Sequence, residues 1–314
     1  MKLVIFGCGN IANRIAKSCL LVKEIELLGF ASKDIEKAKR YAETYGCREY
    51  GNYDHFLNGD VDAVYVATYN PSHYELIKTC LEHHKSVICE KPMLSSIRET
   101  EGLFDLARQN RVVLMEAMKS VFLPLNAKIK QLMHDGTIGK IEKVYASFMR
   151  NGSHPKDHWI NEPVTGGALK DLGSYCVGTL DYLMEESPRL ISIETDRMPG
   201  RADTTAYGDL MYGDVEGRIA VSNSLDGDTT LIINGSKGMI RADNYWKTGK
   251  GYYVVDGTRH ELDEECISDF YYELRHFSYL VDNGILESPV MSRQASLDRL
   301  RITTKETEEK DVQE

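Results

Sequence analysis

The first residues able to do chemistry are Gly7-Cys8-Gly9-Asn10-Ile11-Ala12, a G-x-G-x-x-A run that follows the apolar stretch Leu3-Val4-Ile5-Phe6. Between a strand and a helix, such a run is a dinucleotide-binding turn. Gly7 permits the tight turn, Gly9 lets a pyrophosphate approach the backbone, and small Ala12 lets helix and strand pack closely. The opening amides of the helix, at Asn10, Ile11 and Ala12, offer N–H groups to the phosphates. With no ligand the segment would be only a glycine-rich turn; strand, helix and N-terminal position together favour the ligand. Twenty residues after Ala12 stands Ala31-Ser32-Lys33. An NAD-selective site places Asp or Glu there to accept from the ribose 2′-hydroxyl. A hydroxyl followed by a cation suits a 2′-phosphate instead, so NADP is expected, with NAD as the alternative because Asp34 is one residue away. Ser32 is also a candidate cap for the following helix.

Glu90-Lys91-Pro92 closes the apolar run Val87-Ile88-Cys89. If that run is a parallel strand, Lys91 lies at the carboxyl end of the sheet, where ligands bind. A lysine there can give or take a proton once burial or a neighbouring cation lowers its pKa. Read alone, it is an exposed lysine in a turn. In the second half, Gly166-Gly167-Ala168-Leu169-Lys170-Asp171-Leu172-Gly173-Ser174-Tyr175 stands out. If Asp171 starts a helix, Tyr175 lies one turn on, upon the same face. A carboxylate and a phenol so placed can hold a substrate hydroxyl and move its proton. The competing reading is that Asp171 caps the helix and Tyr175 packs in the core. His154 and His158 have metal-like spacing, but Pro155 between them marks a loop, and no metal is expected.

The elements needed to position these groups are legible as hydrophobic periodicity. The first ~120 residues alternate short apolar runs with helical patterns, the rhythm of a doubly wound parallel sheet. Strands are read at 3–6, 26–32, 63–67, 87–89 and 112–115. Ile11, Ile15 and Cys19 mark one helix face; Ile35, Ala38, Tyr41 and Tyr45 mark another, stopped by Gly46. Ser72 with Glu75, and Ser96 with Glu99, have capping-box spacing. After a helix at 125–134 come strand-like stretches near 144–149, 191–194, 208–212, 219–222, 231–234 and 252–255, separated by glycine-bearing turns. That pattern indicates a largely antiparallel open sheet in an α+β domain. A helix over 267–281 would bury Ile267, Phe270, Leu274, Phe277 and Val281; the charged run from Lys305 reads as frayed surface. The expected organisation is a Rossmann domain over 1–120 and a substrate-binding and oligomerisation domain over 121–314.

Composition narrows the class. The chain has 314 residues, with 38 basic against 48 acidic side chains and a net charge of −10. That balance argues against a nucleic-acid or anionic-membrane surface. No run approaches the roughly 20 apolar residues a membrane span needs, and the N-terminus reads as a strand rather than a signal peptide. Seven scattered cysteines without a Cys-x-x-Cys pair indicate reduced thiols and a cytoplasmic protein.

Taken in order, these segments resemble the Gfo/Idh/MocA oxidoreductases, the family of glucose–fructose oxidoreductase and inositol dehydrogenase. The resemblance rests on the 7–12 loop, Ala31-Ser32-Lys33, Thr68-Tyr69-Asn70-Pro71 with His73, and Glu90-Lys91-Pro92. It continues through Glu116-Ala117, Phe122-x-Pro124, Gly136-x-Ile138-Gly139 and Asp171-x3-Tyr175. It implies a Rossmann domain followed by an α/β domain whose open sheet is commonly used for homo-oligomerisation, as dimer or tetramer. It also implies that Thr68, Asn70, His73, Glu90 and Lys91 join the glycine loop in binding the cofactor, with Lys91 as leading catalytic residue and Tyr175 and Asp171 as partners. Many members carry His at the position of Tyr175; tyrosine there is similar to the glucose–fructose oxidoreductase and dimeric dihydrodiol dehydrogenase branch. Relatives in the dihydrodiol branch tend to carry Trp and Arg where this chain has Lys119 and Val121, so their substrate does not carry over. The implied activity is hydride transfer between NADP(H) and a secondary alcohol/carbonyl pair on a sugar, polyol or related small molecule. NAD-dependent glycosidases and non-catalytic dinucleotide sensors share the fold and stand as alternatives.

Overall fold

A computed structural model describes residues 1–152, 158–197 and 200–305. His154 and the charged run beyond Lys305 lie outside the described residues. In chain order the strands are β1 (Lys2–Phe6), β2 (Glu26–Ala31), β3 (Glu49–Gly51), β4 (Ala63–Val66), β5 (Ser86–Glu90), β6 (Leu114–Ala117), β7 (Ile141–Met149), β8 (Arg189–Asp196), β9 (Thr205–Tyr212), β10 (Val215–Ser222), β11 (Thr230–Gly235), β12 (Gly238–Asp243), β13 (Lys250–Val255) and β14 (Thr258–Asp263). The helices are α1 (Asn10–Cys19), α2 (Ile35–Tyr45), α3 (Tyr53–Leu57), α4 (His73–Glu82), α5 (Ile97–Gln109), α6 (Pro124–His134), α7 (Ala168–Asp171), α8 (Gly173–Met184), α9 (Tyr271–Asp282) and α10 (Arg293–Thr304). The chain forms two compact units. One is Met1–Leu123 with Cys266–Gln294; the other is Pro124–Glu265 with the segment beginning at Ala295. The units are therefore not two successive stretches divided at residue 120. Residues 266–294 return to the first unit, where Asp269 pairs with Arg14 and Ser268 hydrogen-bonds to Ser18, both on α1.

The first unit is a six-stranded parallel sheet in the order β3-β2-β1-β4-β5-β6. Its order reverses between β1 and β4, the crevice where such sheets bind dinucleotides. β1 and β4 read as continuous apolar runs because helices cover both faces, and every residue of β4 is buried. α1 buries Ala12, Ile15, Ala16 and Cys19, while Ile11, expected on that face, is exposed in the first turn. α2 ends as read at Gly46, which takes the left-handed conformation. Ser96 caps α5 by accepting from the Glu99 amide at 3.3 Å. Ser72 does not cap α4. It lies in a 3-10 turn with helical backbone angles, and its hydroxyl turns back to the Tyr69 carbonyl and Thr68. The helix expected from Ile267 begins at Tyr271; Ile267 is exposed, and Phe270, Leu274, Phe277 and Leu280 form the buried face.

The second unit is an eight-stranded sheet in the order β14-β13-β12-β11-β7-β10-β9-β8, antiparallel except for the β7/β10 pair. One face buries Val144, Ala146, Phe148, Ile219, Val221, Leu231, Ile233 and Ile240 beneath helices that include α8. The other face has no helix over it among the described residues and mixes apolar and charged side chains. β12 and β14 escaped the sequence reading. β12 alternates partly exposed residues such as Arg241 with buried Ile240 and Ala242, and β14 is almost wholly exposed, so neither shows an apolar run.

Candidate active site

Parallel register brings the first unit's candidates to one edge. Phe6 is level with Ala31 on one side and Val66 on the other, and Val66 is level with Cys89. The segments beginning at Gly7, Ser32, Ala67 and Lys91 thus leave the sheet from the same carboxyl end. Gly7 has φ +106°, and a Cβ there would stand 2.5 Å from the Ala67 carbonyl oxygen. Only glycine lets the β1–α1 turn lie this close to the exit of β4. At Gly9, by contrast, a Cβ would meet nothing within 4 Å. Gly9 caps α1 without a side-chain hydrogen bond, leaving first-turn amides facing open space beside exposed Asn10 and Ile11. Buried Ala12 packs against the sheet. These features fit a dinucleotide pyrophosphate. Tyr41 and Tyr45 of α2 anchor the turn through the carbonyls of Gly9 and Asn13, at 3.2 and 3.1 Å.

At the adenosine end Ser32 is half-buried and Lys33 exposed. The cap of α2 is Asp34 and not Ser32. Asp34 accepts from the Lys37 amide at 3.0 Å, while the Ser32 hydroxyl accepts from the Asp34 amide at 3.1 Å. One carboxylate oxygen of Asp34 is thereby committed to the helix. Sequence reasoning missed Lys37 and Arg40, whose charges act on the Cys8 thiol in the glycine turn; burial dominates and raises that thiol to about 11. Their signal was available in the spacing, since they lie four and seven residues beyond Lys33 on one helix.

The two loops around Lys91 are fastened together. Buried His73 has Nδ1 3.0 Å from the Met93 carbonyl and Nε2 3.3 Å from the Thr68 carbonyl. Asn70 donates to the Pro92 carbonyl at 3.3 Å, and the Met93 amide donates to buried Glu116 at 2.8 Å. A neutral imidazole donates from one nitrogen only, so His73 hydrogen-bonds to one of these carbonyls and packs against the other. With Asn70, also expected at the cofactor, it joins the Thr68 loop to the Lys91–Pro92–Met93 turn. His73 has no exposed surface, which leaves it a structural tie. Thr68 accepts from the Ser72 hydroxyl at 2.8 Å and remains half-buried. Lys91 is half-buried at the sheet edge, and its preceding residue, Glu90, accepts from the Tyr65 hydroxyl at 2.9 Å.

In the second unit Asp171 ends α7 instead of starting a helix. The Asp203 side chain caps α7 by accepting from the Leu169 amide at 2.8 Å, and Gly167, with φ +106°, leaves room for it. The hydrogen-bond ladder is interrupted at Leu172: the Tyr175 amide donates to Leu172, not Asp171. The two candidates therefore lie on two consecutive helices, Asp171 at the end of α7 and Tyr175 in the first turn of α8. The Tyr175 ring packs 5.8 Å from Phe148 and 5.5 Å from Trp246, and the residue is buried but for 9% of its surface. Arg299 of α10, also buried, braces the start of α8 by donating to Ser174 at 3.1 Å. Neither Trp246 nor Arg299 carried a signal in the sequence. Among the described residues no group of three His, Cys, Asp or Glu side chains could hold a metal, and no helix is long and apolar enough to cross a membrane.

With this geometry in hand, comparison with known proteins gives the class. Residues 1–118 match the oxidoreductase family with an NAD-binding Rossmann fold, and residues 126–241 match the GFO/IDH/MocA C-terminal domain. The chain belongs to the GFO/IDH/MocA oxidoreductases. It is 31% identical over 303 residues to mouse trans-1,2-dihydrobenzene-1,2-diol dehydrogenase, covering 91% of this chain and 90% of that protein. It is 24% identical to the uncharacterized oxidoreductase YgjR of Escherichia coli, over 92% of this chain and 90% of that one. Aldose–aldose oxidoreductase from Caulobacter crescentus, solved with glycerol, superposes with a TM-score of 0.88 at 25% identity, covering 96% and 95% of the two chains. The 3-ketoreductase KijD10 of Actinomadura kijaniata, solved with NADP, shares the fold with a TM-score of 0.84 at 22% identity, over 96% and 95%.

Burial pulls the His73 pKa below its ordinary 6.5. The unfolded chain therefore takes up this proton at a higher pH than the folded one, and His73 weakens the fold as pH falls through 6.5 toward its lower folded value. The His73→Gln variant should lose less stability than the parent between about pH 7.5 and pH 5, measured by urea midpoints. Equal losses would contradict the buried, neutral histidine.

Proposed function

We propose that the protein transfers hydride between NADP(H) and the CH–OH/C=O pair of a sugar, polyol or related diol. The observation that carries this reading is Lys91 at the same carboxyl edge as the Gly7–Ala12 turn, fixed there by the His73 and Asn70 ties. The C4 position of a bound nicotinamide supplies or accepts the hydride. The chain must then manage the proton at the substrate oxygen. Lys91 is assigned that proton, donating it in reduction and taking it in oxidation. Asp171 and Tyr175 are the second unit's candidates for orienting the hydroxyl and sharing its proton. Gly7, Gly9, Asn10, Ile11 and Ala12 would hold the pyrophosphate. Ser32 and Lys33, with Lys37 and Arg40, supply a hydroxyl and three cations for a 2′-phosphate, while Asp34 is engaged as a helix cap. The names of the relatives, a diol dehydrogenase and an aldose–aldose oxidoreductase, agree with a vicinal-hydroxyl substrate.

Replacing Lys91 with Met should leave NADPH binding near normal and reduce turnover on polyols or sugars by ~10²-fold or more. Full turnover in Lys91→Met would remove Lys91 from the chemistry.

We further propose that the uncovered face of the eight-stranded sheet joins copies of the chain into a dimer or tetramer. It exposes Ile191 and Tyr207 and holds a cavity of about 450 Å³ lined partly by Tyr145, Met211 and Arg218. A sheet face left open, with exposed apolar side chains set among charged ones, is the kind of surface through which copies of a chain associate. Sedimentation at micromolar concentration should give a dimer or larger; a monomer there would refute this assignment.

A further inference from the structure

Behind Lys91 the first unit holds a set of charged groups drawn from five separate parts of the chain. Tyr65 is on β4, Glu90 ends β5, Lys119 follows β6, Asp269 just precedes α9 and Glu273 lies in its first turn, and Arg14 is on α1. Tyr65, Lys119 and Glu273 are buried, with exposures of 0%, 2% and 0%. Lys119 and Arg14 both pair with Asp269, and both cations sit over the Phe270 ring, at 4.4 and 4.9 Å from its centroid. The Tyr65 hydroxyl oxygen stands 2.9 Å from Glu90 Oε1 and 3.3 Å from Glu273 Oε1. Glu273 Oε2 is buried and has no hydrogen-bond partner.

Proton counting decides the arrangement. A phenol carries one proton and can donate it to one carboxylate. The shorter contact, to Glu90, takes it. The contact to Glu273 is then a hydrogen bond only if Glu273 is the donor, so Glu273 must carry a proton. An ionised Glu273 would add a second carboxylate across one hydroxyl and leave Oε2 bare in the interior, a costly state.

We infer that Glu273, Tyr65 and Glu90 form a hydrogen-bonded chain, Glu273 donating to Tyr65 and Tyr65 to Glu90, that fixes one negative charge on Glu90 next to Lys91. Tyr65 and Glu273 are then positioning residues for the Lys91 proton, a role that rests on the function proposed above. The groups acting on Glu273 are Glu90, Lys119, Tyr65 and Asp269; those acting on Glu90 are Tyr65, Lys91, Lys119 and Arg14. Burial, followed by the charge of Glu90, raises Glu273 well above the ordinary carboxyl range. Burial also raises Glu90, opposed by Tyr65 and the three cations. Glu90 and Lys91 act on each other electrostatically, which links the hydrogen-bonded chain to the residue proposed to move the substrate proton.

Infrared difference spectroscopy of the full-length protein at about pH 8, well above an ordinary carboxyl pKa, tests the proton directly. Parent minus Glu273→Gln should show the carbonyl stretch of a protonated carboxylic acid; its absence would overturn the inference. Should Glu273→Gln fail to fold, Tyr65→Phe replaces it. That variant removes the acceptor of the Glu273 proton, so the same band should move to higher frequency, and an unmoved band would overturn the inference. For the positioning role, the alkaline limb of the pH profile for carbonyl reduction should shift in Tyr65→Phe, with the KM for NADPH unchanged. An unmoved limb would separate the chain from Lys91. The infrared outcome does not depend on turnover, so failure of the proposed activity and failure of the proton assignment are distinguishable.

Discussion

Everything at the candidate site depends on how closely two turns approach each other at the top of one parallel sheet. The β1–α1 turn can lie against the exit of β4 because Gly7 has no Cβ and takes a positive φ, so that Ala67 fills the space a side chain would need. That contact brings the start of α1, with its open first-turn amides, to the crevice where the strand order reverses. The parallel register then places the ends of β2, β4 and β5 level with it. Phosphate recognition, ribose recognition and proton transfer are thus assigned to segments that share one edge by geometry.

A second level of fastening keeps this edge in place. His73 and Asn70 join the Thr68 loop to the turn carrying Lys91, and Glu116 receives the Met93 amide from below. These are hydrogen bonds between side chains and backbone groups, and leaving a buried partner unsatisfied costs about 1–3 kcal/mol. Tyr65 and the carboxyl groups on either side of it extend the scaffold to α9, which returns from the far end of the sequence to complete the first unit. In the second unit Tyr175 is held among Phe148 and Trp246, and the start of its helix is braced by Arg299.

How much of this could be read from the sequence depends on the range of the interaction responsible. The glycine turn, the buried strands and the family resemblance were legible because they rest on local backbone demands and continuous apolar runs. The same local logic failed at Ser72, where the hydroxyl found nearer carbonyl partners, and at Asp171, where a break at Leu172 separates two helices the spacing had joined. β14 was invisible because an exposed edge strand needs no apolar pattern. The return of residues 266–294 to the first unit, and the meeting of Tyr65 with Glu90 and Glu273, had no sequence signature at all. Those partners are 25 and 208 residues apart, and nothing in their local context announces burial.

The proposed NADP(H) site at this edge sets Ser32, Lys33, Lys37 and Arg40 around the 2′-phosphate. Fluorescence titration of the purified protein with NADPH and separately with NADH tests it most directly. Tighter binding of NADPH by about tenfold or more, ~1.4 kcal/mol, is the predicted result. Equal or tighter binding of NADH would contradict it.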